Sequence, residues 1–252
     1  MNRIKLFLLI PLVVLSCGRT YHVTTDSMSN TFNAGQVIKL KNKASIDRGD
    51  NVFFRKVYNS GERKQTWLFR VVAFSGDTVE IRNGNVIVNN KIIELPENVR
   101  LLYKIIASTP LDVKSFRENT VRQMAENNYI AYLTMDEYTK ISKWPNVTTV
   151  IRIISSPGKY IKGIVRNDFT DNWNEDQFGP LYIPLTGEKI KIGQANRDLY
   201  TDILSDLQPD STITIKKKLY FLMGDNRSNA SDSRFIGLIS ESNIIGCVEE
   251  KH

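Results

Sequence analysis

Cysteine is nearly absent: the 252 residues hold two, Cys17 and Cys247. Two thiols exclude the disulfide framework of a small secreted domain, so stability has to come from a buried core, which a chain of this length can build. No long low-complexity tract, repeat or heptad run occurs, which removes the disordered, solenoid and coiled-coil classes. Long hydrophobic runs are missing too. The apolar stretch from Leu6 to Leu15 contains Pro11; as a helix it would extend about 15 Å, half of the roughly 30 Å hydrocarbon core of a bilayer. Dense charge is equally scarce. Net charge is +7, from 34 basic and 27 acidic residues, yet Lys216-Lys217-Lys218 is the only tight basic run. Scattered positive charge argues against a nucleic-acid groove and leaves an anionic membrane as a natural neighbour.

What is present begins at the N-terminus. Arg3 and Lys5 precede the apolar stretch, and Ser16 and Cys17 follow it, the charged start and apolar middle of a signal segment over residues 1–16. Val14-Leu15-Ser16-Cys17 resembles a bacterial lipobox, in which a small residue precedes a cysteine that becomes lipidated. Cleavage before Cys17 would leave an acylated terminus, a firm anchor when two or three chains are attached, with residues 17–20 as a short tether. The alternative is an uncleaved signal-anchor with an ordinary cysteine.

Residues 21–94 read as strands. Val79-Glu80-Ile81-Arg82 alternates, Asn83-Gly84 turns and Val86-Ile87-Val88 follows; Asn-Gly between such runs is a strong hairpin signal. Over residues 95–176 the pattern changes. Thr109-Pro110 predicts a helix with Val113, Phe116, Val121 and Met124 on one face. Thr134 with Glu137 predicts a capping box for a second helix, ended by Pro145. Strand-like runs, Leu101–Ile106, Tyr129–Leu133 and Val147–Ile154, lie around them. Residues 177–252 return to strands. The expectation is a mainly β protein: a β-rich domain (21–94 and 177–252) interrupted by an inserted α+β lobe (95–176).

Three segments carry the chemistry: TTDSMSNTFNAGQVIKL, RVVAFSGDTVEIRNGNVIVN and LYFLMGDNRSNASDSRFIGLI. Each alone is ordinary turn chemistry. In this order, shortly after a membrane-targeting segment, they closely resemble the type I signal peptidases, over roughly residues 20–94 and 173–248. The resemblance implies a membrane-anchored serine endopeptidase that cuts signal peptides from exported precursors on the outer, periplasmic side of the membrane. It implies no cofactor and no metal, signal peptides or other extended apolar peptides as partners, and a monomer. It makes Ser27 the nucleophile and Thr25 a contributor to the oxyanion hole. Met28, Arg70, Asp225, Asn226, Asp232 and Arg234 match the polar scaffold beside the site. A serine hydroxyl is a weak nucleophile and needs a proton acceptor in contact; in this family a buried, neutral lysine serves, oriented by a second serine.

The chain departs from the family at that pair. The lysine position, directly before Arg70, holds Phe69, and the orienting position holds Ala230. No obvious substitute base is near. If the run into Ser27 is extended, Tyr21, Val23, Thr25 and Ser27 share one face, while His22, Thr24 and Asp26 share the other. Lys39 and Lys64 remain open as bases, His252 ends the chain, and Arg70 is too basic to accept a proton. Losing a general base typically costs on the order of 10²–10⁴ in rate. Two readings follow: a signal peptidase homologue with impaired or lost activity, or a non-catalytic lipoprotein that binds peptides by strand addition.

Overall fold

The computed structural model describes residues 19–41, 45–56, 65–117, 119–168, 172–204 and 210–249. The signal segment, Cys17, Lys64 and His252 lie outside these residues. The described chain opens with β1 (Thr20–His22), β2 (Val37–Lys41), β3 (Asn51–Lys56), β4 (Gln65–Phe74), β5 (Thr78–Arg82), β6 (Asn85–Val88) and β7 (Lys91–Ile92). A middle stretch holds β8 (Leu101–Ala107), β9 (Val121–Ala125), β10 (Asn128–Leu133), α1 (Met135–Ile141) and β11 (Val147–Arg152). The rest comprises β12 (Phe178–Tyr182), β13 (Lys189–Ile192), β14 (Ser211–Thr214), β15 (Leu219–Met223), α2 (Ser233–Ile236), β16 (Ile239–Ser240) and β17 (Ile244–Val248). The architecture is mainly β, as expected.

A seven-stranded antiparallel sheet in the order β1-β2-β17-β3-β4-β15-β16 forms the backbone of the molecule. Strand β15, next to the short edge strand β16, is buried at every residue, so both of its faces must find apolar partners. Alternation divides them. Tyr220 and Leu222 pack with Val23, Met28, Phe53 and Phe69, while Leu219, Phe221 and Met223 pack with Val79, Val86, Phe178 and Leu181 on the opposite side. A second sheet, β12-β5-β6-β7, supplies that opposite side. Its β5–β6 turn is the expected Asn-Gly hairpin: Asn83 has φ 51° and Gly84 φ 70°, the left-handed pair that such a two-residue turn requires.

The middle stretch forms its own sheet, β11-β8-β10-β9, around Leu101, Tyr103, Ile105, Tyr129, Leu133 and Ile141. Helix α1 carries the expected capping box: the Glu137 N–H donates to Thr134 Oγ1 (3.2 Å), and the Thr134 N–H donates to the Glu137 carboxylate (2.8 Å). It stops at Ile141, before Pro145, so proline is not what ends it. The helix expected after Pro110 does not form. Only the 3₁₀ turn Val113–Ser115 is helical, and Val121–Ala125 is a strand. Asn119 at φ 60° and Asn127 at φ 56° reverse the chain on either side of that strand. Its backbone pairs with β10 along the edge of the sheet, while Met124 remains exposed. A helical spacing of apolar residues was outweighed here by hydrogen bonding to a buried neighbour.

Candidate functional site

The segment that carries Ser27 starts extended and then tightens. Val23 is buried and His22 and Thr24 are exposed, as alternation demands. The alternation fails at Thr25, which is exposed, because Asp26–Met28 forms a 3₁₀ turn with three residues per turn. Ser27 and Met28 are therefore both buried, side by side. The Ser29 N–H closes the turn on the Asp26 carbonyl (2.9 Å), and Asn30 at φ 84° sends the chain back. Asparagine tolerates that left-handed backbone better than most residues do. Thr25 is the residue before the turn and its hydroxyl makes no capping hydrogen bond.

The loop after β15 closes over this turn. The Asn226 N–H donates to the Ser27 carbonyl (3.0 Å) and its side-chain amide to the Asp26 carbonyl (3.2 Å). The Asp225 N–H reaches the Met28 sulfur (3.3 Å). Gly224 is required by proximity: a Cβ there would stand 2.3 Å from Ala230 Cβ, 2.7 Å from the Ser27 carbonyl oxygen and 3.5 Å from the Phe69 ring. One backbone position thus touches all three of the residues that the sequence places at nucleophile, base and orienter positions. Phe69 is fully buried, its ring 5.7 Å from that of Phe54 and 5.8 Å from that of Trp67. Aromatic and aliphatic walls enclose it, and burial of such a ring is worth about 1.5–3 kcal/mol. The Ser27 hydroxyl donates a long hydrogen bond to the Asn229 carbonyl (3.4 Å).

Around this apolar centre stands an ionic frame. Arg70 grips Asp225 with two parallel bonds, Nε–Oδ1 at 2.8 Å and Nη2–Oδ2 at 2.6 Å, and donates to the Gly49 carbonyl (2.9 Å). Thr31 also donates to the Asp225 carboxylate. Arg234 binds Asp232 in the same bidentate manner (2.8 and 2.7 Å), and Asp232 accepts the Gly224 N–H (3.0 Å). Burial works against the Arg234 charge, but Asp232, with Asp176 and Glu175 farther off, more than offsets it and raises the guanidinium pKa. Ser233, inside the same segment, accepts the Leu222 N–H (2.9 Å).

The other candidate bases are placed apart from Ser27. His22 and Asp26 are exposed, and Lys39 is exposed and pairs with Glu249 at 3.6 Å. Among the described residues, no hydrogen bond joins Ser27 to an amine, imidazole or carboxylate. No cluster of three or more His, Cys, Asp or Glu side chains among them is arranged to hold a metal ion.

Sequence reasoning missed three participants. Arg227 is buried beside the Arg70–Asp225 and Arg234–Asp232 pairs, its Nε donating to the Gly224 carbonyl (3.1 Å). Arg100, fully buried, ties the middle sheet to the loop: its N–H donates to Asp225 O (2.8 Å), its carbonyl accepts the Arg227 N–H (3.1 Å) and its side chain binds Glu137 (2.7 Å). Arg117 reaches Asn30 and Asn33 in the loop after Ser27. Arg227 sits within the third motif and could have been named from it; nothing local in the sequence marks Arg100 or Arg117.

Along the segment that carries Ser27 runs an open groove of about 480 Å³, lined by His22–Thr25 and Met28 on one side and by Phe53 and Gln65–Leu68 on the other. β15 pairs with β4 only from Arg70 onward, so residues 65–69 keep one ladder edge facing the groove. No helix among the described residues is long and apolar enough to cross a membrane.

Comparison with known proteins identifies the family. The chain is 25% identical over 201 residues to a signal peptidase I of Buchnera aphidicola subsp. Baizongia pistaciae (strain Bp). That alignment takes in 80% of this chain and 53% of the relative, so the chain spans about half the length of the protein it matches. The description of the signal peptidase family, peptidase S26, matches residues 3–251. With that match running nearly end to end, the chain belongs to the signal peptidase family, peptidase S26.

Proposed function

We propose that this chain is an envelope-anchored serine endopeptidase homologue of the signal peptidase type whose proteolysis is impaired or absent. The observation that carries the reading is the Ser27 hydroxyl donating to the Asn229 carbonyl, with Phe69 and Ala230 packed about the same glycine. A peptide carbonyl cannot take up the serine proton at neutral pH, and a phenyl ring offers no lone pair. In this reading Phe69 and Ala230 stand where the family's lysine and its orienting serine act. Residues 95–176 are an insertion between the two halves of the peptidase-like domain. Lipid on Cys17 holds the protein to the membrane on the exported side, where exported precursors emerge. Anchoring enzyme and peptide to one interface raises their effective concentration.

A second reading rests on the groove. Two extended segments, His22–Thr25 and residues 65–68, line this groove from opposite sides. An extended peptide with small apolar side chains would add there as a strand, with Val23, Met28 and Trp67 beneath it. Binding without turnover is what this arrangement supports once the base is gone. Without a base, only residual catalysis from oxyanion stabilisation and substrate binding would remain.

The test is to incubate the purified chain and its Ser27→Ala variant with a signal-peptide substrate in detergent, following products by mass spectrometry and binding by fluorescence anisotropy. The expected result is saturable binding by both proteins and no cleavage that depends on Ser27. Cleavage lost in Ser27→Ala at turnover rates of about 1 s⁻¹ or more, within the range typical of enzymes, would overturn the impaired reading. No binding up to millimolar peptide would overturn the second.

A further inference from the structure

On the opposite face of β4 from Phe69 lies a second cavity, of about 300 Å³, at the lower end of the range for small-molecule sites. Its floor is apolar, formed chiefly by Val72, Val86, Ile93 and Leu95. Its polar lining is one-sided: Arg48, Arg70, Arg152 and Arg227 against a single carboxylate, Glu94. Two of the four are already neutralised, Arg48 by Asp77 at 2.9 Å and Arg70 by Asp225. The other two, among the described residues, have no carboxylate in direct contact. Arg152 donates to the Gly84 carbonyl (2.9 Å) and to Asn85 Oδ1 (3.4 Å), and Arg227 to the Gly224 carbonyl (3.1 Å). Among the described residues neither has a carboxylate within 4.0 Å.

Arg227 is the stronger half of the argument. Three arginines, Arg70, Arg227 and Arg234, share two aspartates, and both aspartates are held bidentately by the other two. Arg227 is left only 8% exposed with no ion pair of its own. Burial, with Arg234 nearby, lowers its pKa to about 10. Glu175 and Asp176 lie behind Arg152 and Arg227, across a cleft of about 10 Å³ that is too small for a ligand. The Asp176 carboxylate there is taken by the Ser155 N–H (2.8 Å) and that of Glu175 by the Ser155 hydroxyl (2.8 Å). A buried cation lacking its counter-ion is costly, and the cavity is where an anion could reach it.

We propose that this cavity binds a small amphipathic anion, with a carboxylate or phosphate on Arg227 and Arg152 and a hydrocarbon body against Val72, Val86 and Ile93. The anion gives Arg227 and Arg152 a carboxylate or phosphate in direct contact, and the hydrocarbon covers the apolar floor. Bidentate geometry favours arginine for both head groups. Because the cavity and the groove share no lining residue, both can be filled together.

The test is calorimetric titration of the intact chain with octyl phosphate below its micelle concentration, octanoate, octanol and inorganic phosphate. Octyl phosphate and octanoate are expected to saturate at one site, with inorganic phosphate and octanol at least tenfold weaker. Arg152→Gln, a change at a half-buried position, is expected to weaken octyl phosphate about tenfold, and Ile93→Glu to abolish binding by placing a carboxylate at the floor. Circular dichroism confirms that each variant is folded; an unfolded one is replaced by Arg152→Lys or Leu95→Glu. Displacement of octyl phosphate by vesicles containing phosphatidylglycerol, but not by phosphatidylcholine alone, identifies a lipid head group as the source. Displacement by neither leaves a free amphiphile as the ligand. No saturable binding to millimolar concentration, binding indifferent to both substitutions, or inorganic phosphate binding as tightly as octyl phosphate overturns the proposal.

Discussion

The two halves of the Ser27 environment obey opposite rules. The frame is ionic: Arg70–Asp225 and Arg234–Asp232 are bidentate pairs on fully buried aspartates, Asp225 braced by the Thr31 hydroxyl and Asp232 by the Gly224 N–H. The centre is apolar: Phe69, Ala230 and Met28 belong to one hydrophobic cluster, with Gly224 in contact with the first two. A frame of buried charges is hard to alter one residue at a time, because removing one partner strands the other. An isolated buried lysine has no such hold. Its desolvation is a standing cost, and a phenyl ring removes the cost while adding burial. Stability therefore preserves the frame whether or not chemistry continues, and stability alone favours Phe69 at the centre. An intact frame is consequently weak evidence for activity.

The comparison can be broken at the frame first. Asp225→Ala strands Arg70 and removes the Thr31 partner, and should cost about 3–5 kcal/mol, read from the urea midpoint. A midpoint that hardly moves would mean the frame has no structural role. The centre comes next. Phe69→Lys replaces a ring packed against Phe54 and Trp67 by a desolvated amine and should cost about 3 kcal/mol or more. Combined with Ala230→Ser it supplies the lysine and serine pair that the proposed reading finds missing, and any Ser27-dependent cleavage it produces would show that only these two positions separate the chain from activity. A folded but inactive double variant would place further loss elsewhere in the site.

The smallest effect is a pH dependence of the apolar side. Burial pushes the Tyr200 and Tyr220 phenols up to about 12, with Glu241 adding to the rise at Tyr220. The folded chain keeps these protons where the unfolded chain, with phenols near 10, loses them. Their contribution is complete below pH 10 and is lost as pH rises from 10 toward 12. Lys56 works in the other direction: burial lowers its pKa, so stability rises with pH above the folded amine's lowered pKa and levels off once the unfolded amine deprotonates near 10.5. Tyr200→Phe isolates the phenol: its stability, measured by denaturant titration between pH 9 and 11.5, should fall less steeply than that of the parent. Parallel curves would mean that Tyr200 is not buried as a neutral phenol.

Legibility in the sequence followed locality. The Asn83-Gly84 hairpin and the Thr134–Glu137 capping box were readable because each depends on residues within a few positions of one another. The helix expected from Val113 to Met124 failed because its spacing was right, but the hydrogen-bonding partner, β10, was invisible locally. The face assignment before Ser27 held to Thr24 and failed at Thr25, where a 3₁₀ turn replaces the strand. The candidate site residues were all named from motifs. What each of them touches was not, since the Thr31–Asp225 bond joins positions 194 residues apart and Ser27–Asn229 positions 202 apart.

The β-rich class, the three ordered motifs and the candidate residues Ser27, Phe69 and Ala230 can all be read from the chain alone. These depend on backbone preference, hydrophobic alternation and identity, all of which are properties of the chain before it folds. Folding alone reveals that Gly224 lies against those residues, that Arg227 is the third cation beside two aspartates, and that successive stretches of β4 line a groove and an arginine-lined cavity. Each of these depends on distances across separate strands, and such distances are set by how sheets pack, because burial is decided by every neighbour at once.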